Sequence, residues 1–284
     1  MSTTAAPLLA EAEQKLRAAI ADPNDALPLL AHVLGQTPEF ILSHPGHAVT
    51  GASHDQFQKL IAQRINGYSI AVLRGHCFFY GHRFIVTEDT LVPRPESEPL
   101  VGTALDLLAG RARTSVLDMG TGSGNLIISI ASSRTSHIDT YWAADVSRRA
   151  LAVAKKNAKA LNTHVRFFHS NLFSDIPAKQ FDCIIANLPY LTAEQLREPS
   201  IKKEPLGALW GGTRGIELYR VFFRQAPEYL APDGMILMEI DPEQKNELLT
   251  EAHRYFPEAA CTCLPDLSGT DRVIQILRWG PGGS

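Results

Sequence analysis

The chain has 284 residues and a formal net charge of −3, with 45% hydrophobic and 20% charged residues. This composition is ordinary for a globular protein with a full hydrophobic core, and it excludes a wholly disordered, collagen-like or coiled-coil chain. The slight negative charge argues against capture of nucleic acid by the surface charge as a whole. We therefore expect one large domain or two smaller ones.

Three features of the sequence indicate the cellular compartment, namely the cysteine pattern, the hydropathy and the N-terminal residues. The four cysteines form no Cys-x-x-Cys pair and no histidine cluster completes a zinc set, so we expect reduced thiols and no metal site. No run reaches about 18 apolar residues, so no transmembrane helix is expected. The N-terminal stretch lacks the basic and apolar regions of a secretory signal, and the expected location is the cytoplasm.

The first 70 residues are predicted to fold as short helices. Apolar residues recur at helical spacing between Leu8 and Ile20. Further helices are predicted over residues 25–34, 38–42 and 55–65, with Pro23, Pro45 and Gly46 as breaks between them. We predict an N-terminal helical domain over residues 1–70 that docks the substrate, with a packing cap on the main domain as the alternative.

A β-hairpin linker is predicted over residues 71–96. The stretch HCFFYGHRFIVTE at residues 76–88 has the pattern of two strands that turn near Gly81. The Pro-flanked stretch LVPRPESE follows it and leads into a helix over about residues 97–109. The catalytic domain is predicted to comprise residues 97–284.

From residue 114 onward, strands and helices alternate. Strands are predicted over residues 115–118, 140–144, 165–169, 181–186 and 235–240, with two late strands over 260–264 and 272–277. The helices between them are predicted to begin near Gly124, Ser147, Gly215 and Pro242. Repeated βα units predict a doubly wound, mostly parallel α/β sheet, which binds ligands at the carboxyl ends of its strands.

The strongest local motif is VLDMGTGSG at residues 116–124. Its alternating glycines lie between an apolar strand and an apolar helix, where they permit a tight turn and close approach of a ligand to the backbone. Asp145 follows about 20 residues after Gly124, near the spacing of the acidic residue that binds ribose in nucleotide folds. Because Asp118 beside the turn disfavours a pyrophosphate, the motif favours a positively charged nucleoside such as S-adenosylmethionine.

A second motif, Asn187-Leu188-Pro189-Tyr190, directly follows the apolar strand FDCIIA and so lies at the same edge of the sheet. The Asn187 side chain and the Leu188 backbone carbonyl supply two acceptors that would orient one NH2 group, and the Tyr190 ring can stack on a planar group. An amide nitrogen is a poor nucleophile, so orientation and exclusion of water would have to supply much of the rate. A plain turn after the strand is the alternative.

Together these motifs resemble the HemK/PrmC family, the glutamine N5-methyltransferases that modify peptide-chain release factors. NLPY is similar to the family's (N/D)PPY motif, the segment 118–124 matches its DxGTGSG loop, and PRPESE at residues 93–98 resembles its PRPxTE segment, with Ser97 in place of Thr. The stretches EPLGALWGGTRG at residues 204–215 and DRV at residues 271–273 also resemble family motifs. The resemblance runs from about Gly67 to Leu277.

The resemblance implies a class I S-adenosylmethionine-dependent methyltransferase fold with a seven-stranded sheet, and S-adenosylmethionine as the cofactor without a metal. The cofactor-binding residues are then expected to be Asp118, Gly120, Thr121, Gly122, Ser123, Gly124, Asp145, Asn171, Leu172 and Asn187. The expected catalytic residues are Asn187, Leu188, Pro189 and Tyr190. The expected substrate-binding residues are Asn187, Pro189 and Tyr190, together with Arg94 and Glu98 as braces of the lid of the pocket.

Two residues depart from the family pattern. Leu188 replaces the usual first proline, which removes a φ restriction and adds an N–H but keeps the backbone carbonyl. Since Pro189 follows, Leu188 is still expected to be extended. Asn171 stands where many members carry an acid, and its side-chain carbonyl can still accept a hydrogen bond from an adenine amino group.

The predicted function is transfer of a methyl group from S-adenosylmethionine to the N5 amide nitrogen of the GGQ-motif glutamine in class 1 release factors. The alternatives are a glutamine of a ribosomal protein, adenine N6 of a nucleic acid, and a non-enzymatic binding module, which the Leu188 departure leaves open. A basic cluster on one predicted helix, more often a solvated face, comprises Arg148, Arg149, Lys155, Lys156 and Lys159. We expect a monomer that binds a release factor and neither a membrane nor, stably, nucleic acid.

Overall fold

The computed structural model describes residues 3–134, 139–198, 201–266 and 268–278. The chain divides into two compact units. The smaller unit comprises Met1–His76 with Glu198–Lys203, and the larger unit comprises Cys77–Arg197 with Glu204–Ser284. The sequence-based boundaries at residues 70 and 96 stay a prediction.

The smaller unit is helical and has a hydrophobic core of its own. Its elements are β1 (Thr3–Thr4), α1 (Ala5–Ala18), α2 (Ala26–Leu34), α3 (Pro38–Ser43), β2 (Ala48–Val49), α4 (Gly51–Ile65) and α5 (Ile70–Arg74). Leu8, Leu16 and Phe57 are among the side chains buried between α1, α2 and α4. The antiparallel β1–β2 pair and α5 are absent from the sequence prediction, since segments of two and five residues carry no measurable periodicity.

A hairpin of β3 (His76–Phe79) and β4 (His82–Ile85) follows in the chain. Its two turn residues, Tyr80 and Gly81, have φ values of 47° and 75°, which lie in the left-handed region that a two-residue hairpin turn requires. The predicted turn near Gly81 is therefore where the structure has it.

The described part of the larger unit is built on a seven-stranded sheet in the order β10-β11-β9-β8-β5-β6-β7. The strands are β5 (Ser115–Met119), β6 (Thr140–Asp145), β7 (Val165–His169), β8 (Phe181–Ala186), β9 (Leu230–Glu239), β10 (Ala260–Pro265) and β11 (Asp271–Leu277). Strands β5 to β9 run parallel to one another, whereas β11 is antiparallel to both β9 and β10. The predicted doubly wound, mostly parallel sheet is confirmed.

Helices pack on both faces of this sheet. They are α6 (Glu98–Leu108), α7 (Asn125–Ser133), α8 (Arg148–Ala160), α10 (Glu217–Tyr229) and α11 (Lys245–Tyr255). A further short helix, α9 (Leu206–Leu209), precedes α10 in the chain. Side chains of β5 alternate between two cores, with Leu117 and Met119 in the core beneath α10 and Val116 in the core beneath α6 and α7. Within the described residues, no helix is both long and apolar enough to cross a membrane.

The strand order places a topological switch point beside β5. The chain runs outward from β5 through β6 to β7, and then returns to the other side of β5 as β8. Crossovers therefore leave β5 and β8 in opposite directions, and the loops after these two strands border a crevice at their carboxyl ends. The glycine motif follows β5 and the NLPY motif follows β8, so the fold itself brings the two predicted motifs together.

Candidate active site

A cavity of about 330 Å³ lies in this crevice, and its lining comes from the larger unit. The lining includes most of the predicted site residues, namely Arg94, Gly120, Thr121, Gly122, Ser123, Asp145, Asn171, Leu172, Asn187, Leu188 and Pro189. Asp118, Gly124, Glu98 and Tyr190 are not part of the lining. Further lining residues come from the segment between Asp89 and Ser97, from the first turns of α7 and α8, and from α9 and its neighbours.

The glycine loop between β5 and α7 adopts a conformation that glycine permits most readily. Gly120, Gly122 and Gly124 have φ values of 75°, 55° and 82°. A Cβ atom at Gly124 would lie 2.7 Å from Ile128 Cδ1, whereas one at Gly122 would meet nothing within 4 Å. Gly124 is thus required for packing of the loop on α7, and Gly122 leaves the backbone open to the cavity.

Asp118 lies beneath this loop and is completely buried. Its Oδ2 accepts a hydrogen bond of 2.6 Å from the Thr121 hydroxyl, and its Oδ1 has no well-formed hydrogen bond within the described part of the chain. Burial raises the pKa of this carboxyl to about 7, and the negative charge of Asp145 adds to the rise. A positive charge near the loop would favour the ionised form.

Asp145, at the end of β6, connects the glycine loop to the start of α8. Its Oδ2 accepts a hydrogen bond of 2.8 Å from the Gly122 amide, and its Oδ1 accepts one of 2.7 Å from the Ser147 amide. Burial raises the pKa of Asp145. Each carboxylate oxygen has a second lone pair, so the two oxygens can still accept hydrogen bonds from a pair of ribose hydroxyls.

Two hydrogen bonds to residues outside the loop fix the NLPY loop that follows β8. The Asn187 Nδ2 donates a hydrogen bond of 3.3 Å to the Ser97 hydroxyl. The Leu188 carbonyl accepts one of 3.1 Å from the hydroxyl of Tyr219, a fully buried residue of α10. A carbonyl oxygen has two lone pairs, so the Leu188 carbonyl keeps one for a ligand.

Family models match both parts of the chain. The Methyltransferase small domain matches residues 101–203, and the PrmC N-terminal domain matches residues 7–75. A release factor glutamine methyltransferase of Bacillus anthracis is 32% identical over 89% of this chain and 92% of its own length. The one of Burkholderia pseudomallei is 35% identical over 95% of this chain and 92% of its own length.

The chain belongs to the release factor glutamine methyltransferase family. Among solved structures, a methyltransferase of Pyrococcus furiosus matches with a TM-score of 0.52 and 16% identity, over 69% of this chain and 88% of that one. A 16S ribosomal RNA methyltransferase of Thermus thermophilus matches with a TM-score of 0.53 and 16% identity, over 72% of this chain and 49% of that one. At this identity the two structures support the methyltransferase fold alone.

S-adenosylmethionine is the cofactor of the family, and the cavity fits it. The glycine loop presents backbone to the cavity, and the Asp118 carboxyl buried beneath the loop has no ion-pair partner among the described residues. The cofactor carries an ammonium and a sulfonium, which would supply positive charge there. The Asp145 carboxylate would serve as an acceptor for its hydroxyl groups. The roles of the individual residues stay predictions.

Leu188, which replaces the usual proline of the family motif, is accommodated by packing. Its side chain is buried, and a Cβ atom at Gly120 would lie 3.1 Å from Leu188 Cδ2. The leucine therefore fills the space between the NLPY loop and the glycine loop.

The stretch EPLGALWGGTRG at residues 204–215 supports the NLPY loop through close contact. A Cβ atom at Gly211 would lie 2.5 Å from the Pro189 carbonyl oxygen, and one at Gly215 would lie 2.1 Å from the Tyr190 carbonyl oxygen. The Tyr190 carbonyl also accepts a hydrogen bond of 2.8 Å from Gln244 Nε2. Glycine at these positions lets the two loops pack backbone to backbone.

Arg94 and Glu98 have different partners. Arg94 lines the cavity and forms an ion pair with Glu204, whose pKa burial raises. The pair fixes the start of the segment that leads into α9. Glu98 instead accepts a hydrogen bond of 2.7 Å from the Tyr80 amide, so it braces the β3–β4 hairpin.

The sequence prediction missed several residues that shape the site. Glu239 is 2% exposed and lies at the carboxyl end of β9, where a single acid in the apolar run MILMEI was the available signal. Asn157, buried on α8, accepts a hydrogen bond from the Ile85 amide and donates to the Ile85 and Ser123 carbonyls. It thereby joins the hairpin to the glycine loop, and no short motif marked it.

Proposed function

We propose that this protein transfers a methyl group from S-adenosylmethionine to the side-chain amide nitrogen of a glutamine in a peptide-chain release factor. The observation that carries the proposal is the shared cavity, in which Asn187 and Leu188 face the same space as the glycine loop and Asp145. Family relatives aligned over most of the chain bear the corresponding name. The GGQ-motif glutamine is the proposed acceptor.

Different residues of the chain bind the cofactor and the glutamine amide in this proposal. S-adenosylmethionine, when bound, supplies a methyl group on a positively charged sulfur. Asp145, which the Gly122 amide fixes by a hydrogen bond, would accept hydrogen bonds from the hydroxyl groups of the cofactor, and the buried Asp118 carboxylate would favour its positive charge. Asn187 Oδ1 and the Leu188 carbonyl accept hydrogen bonds from the two N–H groups of the glutamine amide, which fixes its nitrogen.

Orientation and exclusion of water are the main contributions to rate in this arrangement. Leu126, Leu172, Leu188 and Pro189 give the cavity an apolar wall. A substrate amide that is fixed in the cavity has lost its translational and rotational freedom before the reaction. This earlier loss can lower the activation free energy of methyl transfer by several kcal/mol. The nitrogen can release its proton after the new N–C bond has formed.

We further propose that the protein works in the cytoplasm as a monomer without stable binding to nucleic acid. The net charge of −3 and the four free thiols support this. Against it stands the exposed basic face of α8, where Arg148, Arg149, Lys155 and Lys156 lie. The assay below therefore includes nucleic acid as a substrate.

The test is transfer of labelled methyl from S-adenosylmethionine to a purified release factor. A factor with the glutamine replaced by alanine, ribosomal proteins and ribosomal RNA are assayed beside it. We expect label on the unmodified factor alone, and Asn187→Ala to lower kcat roughly 100-fold through loss of orientation. The control Asn246→Ala, at an exposed position of α11, should retain full activity.

Label on ribosomal protein or RNA in place of the factor would contradict the proposed substrate. Absence of all transfer, despite measurable cofactor binding, would contradict the proposed enzymatic activity and favour a binding module.

A further inference from the structure

A buried carboxylate lies behind the NLPY loop and is not used in the function proposed above. The Glu239 side chain accepts hydrogen bonds on both oxygens. The Ser97 hydroxyl donates to Oε2, and the Tyr190 hydroxyl donates to Oε1 at 3.3 Å. Glu239 does not line the cavity, whereas Ser97 and Asn187 do.

The single proton of Ser97 gives this network a direction. Because the Ser97 hydroxyl donates its proton to the Glu239 carboxylate, its oxygen can only accept from Asn187. The group that faces Ser97 is accordingly the Nδ2 of Asn187, at 3.3 Å. The Asn187 Oδ1 is then left as the acceptor for a substrate amide.

We propose that Glu239 is a positioning residue that, together with Ser97, sets which end of the Asn187 amide is presented to the substrate. This inference rests on the proposed function, since it concerns the acceptor for the glutamine amide. An asparagine amide has nearly the same shape in its two orientations, so only its hydrogen-bond partners can select one. A flipped Asn187 would present an NH2 group to the NH2 group of the substrate.

Neighbouring groups and burial determine how readily the Glu239 carboxyl ionises. Arg272, on the neighbouring strand β11, favours the carboxylate, as do the hydrogen bonds from Ser97 and Tyr190 and a direct interaction with the Asn187 side chain. Burial acts more strongly in the opposite direction and raises the pKa of Glu239. The Tyr219 hydroxyl contacts the backbone carbonyl of Glu239. A protonated Glu239 could donate to Ser97, whose proton would then be free to point at Asn187 Oδ1.

The kinetic test uses Glu239→Gln, Ser97→Ala, their double variant and Ser97→Thr, all at saturating S-adenosylmethionine. Glu239→Gln and Ser97→Ala are each expected to lower kcat up to roughly 100-fold, as misplacement of a reacting group does. The double variant should be no slower than the slower of the two single variants, because Glu239 and Ser97 both orient the same Asn187 amide. Ser97→Thr keeps the hydroxyl group and should therefore retain the kcat of the wild type. Glu243→Gln, an exposed acid that follows β9, is the matched control.

Cofactor affinity and the pH profile separate this orienting role from a general structural role. The Kd for S-adenosylmethionine should change less than about twofold in these variants, as for substitutions away from a binding contact. The wild-type kcat should fall as the pH drops through the raised pKa of Glu239, and Glu239→Gln should lack this acid limb. Additive effects of Ser97→Ala and Glu239→Gln, or a Ser97→Thr variant as slow as Ser97→Ala, would overturn the inference.

A spectroscopic test needs no substrate. With ¹⁵N-asparagine labelling, the side-chain amide signal of Asn187 is assigned by its loss in Asn187→Ala. We expect this signal to shift in Glu239→Gln and in Ser97→Ala and to stay in place in Glu243→Gln. An unchanged signal in the first two variants would overturn the inference, even if the wild-type protein methylates a different substrate from the one proposed.

Discussion

At the scale of single residues, Asp118 is an acid in an environment unsuited to its charge. It is completely buried beneath the glycine loop, and the Thr121 hydroxyl is the partner of one of its oxygens. No ion pair of Asp118 is present within the described residues. An acid in this state releases its proton readily when a cation binds nearby, so cofactor binding and ionisation of Asp118 should be coupled.

We therefore predict that S-adenosylmethionine binding releases protons near neutral pH. The pKa of Asp118 is raised to about 7, so at pH 6.5 most of the free protein carries the proton, and a bound cation lowers the pKa and expels it. Above about pH 8 the carboxyl is already ionised, and release should vanish. Affinity should rise with pH up to that point. Calorimetry in two buffers of different ionisation enthalpy measures the released protons.

Asp118→Asn should remove this proton release and weaken cofactor binding roughly tenfold, equivalent to about one pKa unit of lost charge interaction. The exposed Asp175→Asn is the matched control and should bind as the wild type does. Equal calorimetric enthalpies in both buffers for the wild type would contradict the coupling.

For residues at the ends of strands, the sequence predicted the position at the cavity. For residues within strands, it predicted that position less well. Asp145 and Asn187 end β6 and follow β8, and parallel strands bring such positions to one edge. Asp118 is inside β5, where alternation directs it into the protein rather than into the cavity. Glu98 is the first residue of α6, and no sequence pattern indicated which side of the helix its side chain would occupy.

At the scale of elements, periodicity located the long strands and helices of the larger unit, because apolar runs with turn residues between them are strong local signals. Short elements such as α9, with four residues, gave no such signal. The contact of Ser97 with Glu239 and Asn187 could not be predicted either. It depends on the mutual placement of α6, β8 and β9, which no local pattern specifies.

The contact between the Gly211 segment and the NLPY loop yields a prediction about activity. A Cβ atom at Gly211 would lie 2.6 Å from the Tyr190 Cα, so Gly211→Ala must push the two loops apart. We expect kcat/KM for the release factor to fall up to roughly 100-fold, since a displacement of about 1 Å at a reacting group has that effect. Methyl-transfer kinetics and the cofactor Kd, which should change much less, are the measurements.

The matched control for this substitution is Gly102→Ala in α6, where a Cβ atom would meet nothing within 4 Å. There alanine should stabilise the helix by about 0.5–1 kcal/mol and leave activity intact. Wild-type kinetics in Gly211→Ala would show that the NLPY loop does not depend on this contact.

At the scale of the whole molecule, the cofactor cavity is a property of the larger unit, and the smaller unit offers different features. In the smaller unit, Ile20 is 98% exposed and has a φ of 58°, an unusual conformation for a β-branched residue. Leu42 is 63% exposed. Single exposed apolar side chains are common on protein surfaces, so the docking function of the smaller unit stays a prediction.

The location of the cavity in the larger unit predicts the effect of deleting residues 1–75. Because the cavity lining belongs to the larger unit, the shortened protein should bind S-adenosylmethionine with a Kd within about twofold of the full chain. A glutamine side chain is too small to bury the roughly 800 Å² per partner that a stable protein complex needs. Methylation of the intact release factor should therefore be lost, mainly through KM, whereas a short glutamine-containing peptide should be methylated equally by both proteins. Equal methylation of the intact factor would instead identify the smaller unit as a packing cap, and the target would then be selected by the rim of the cavity alone.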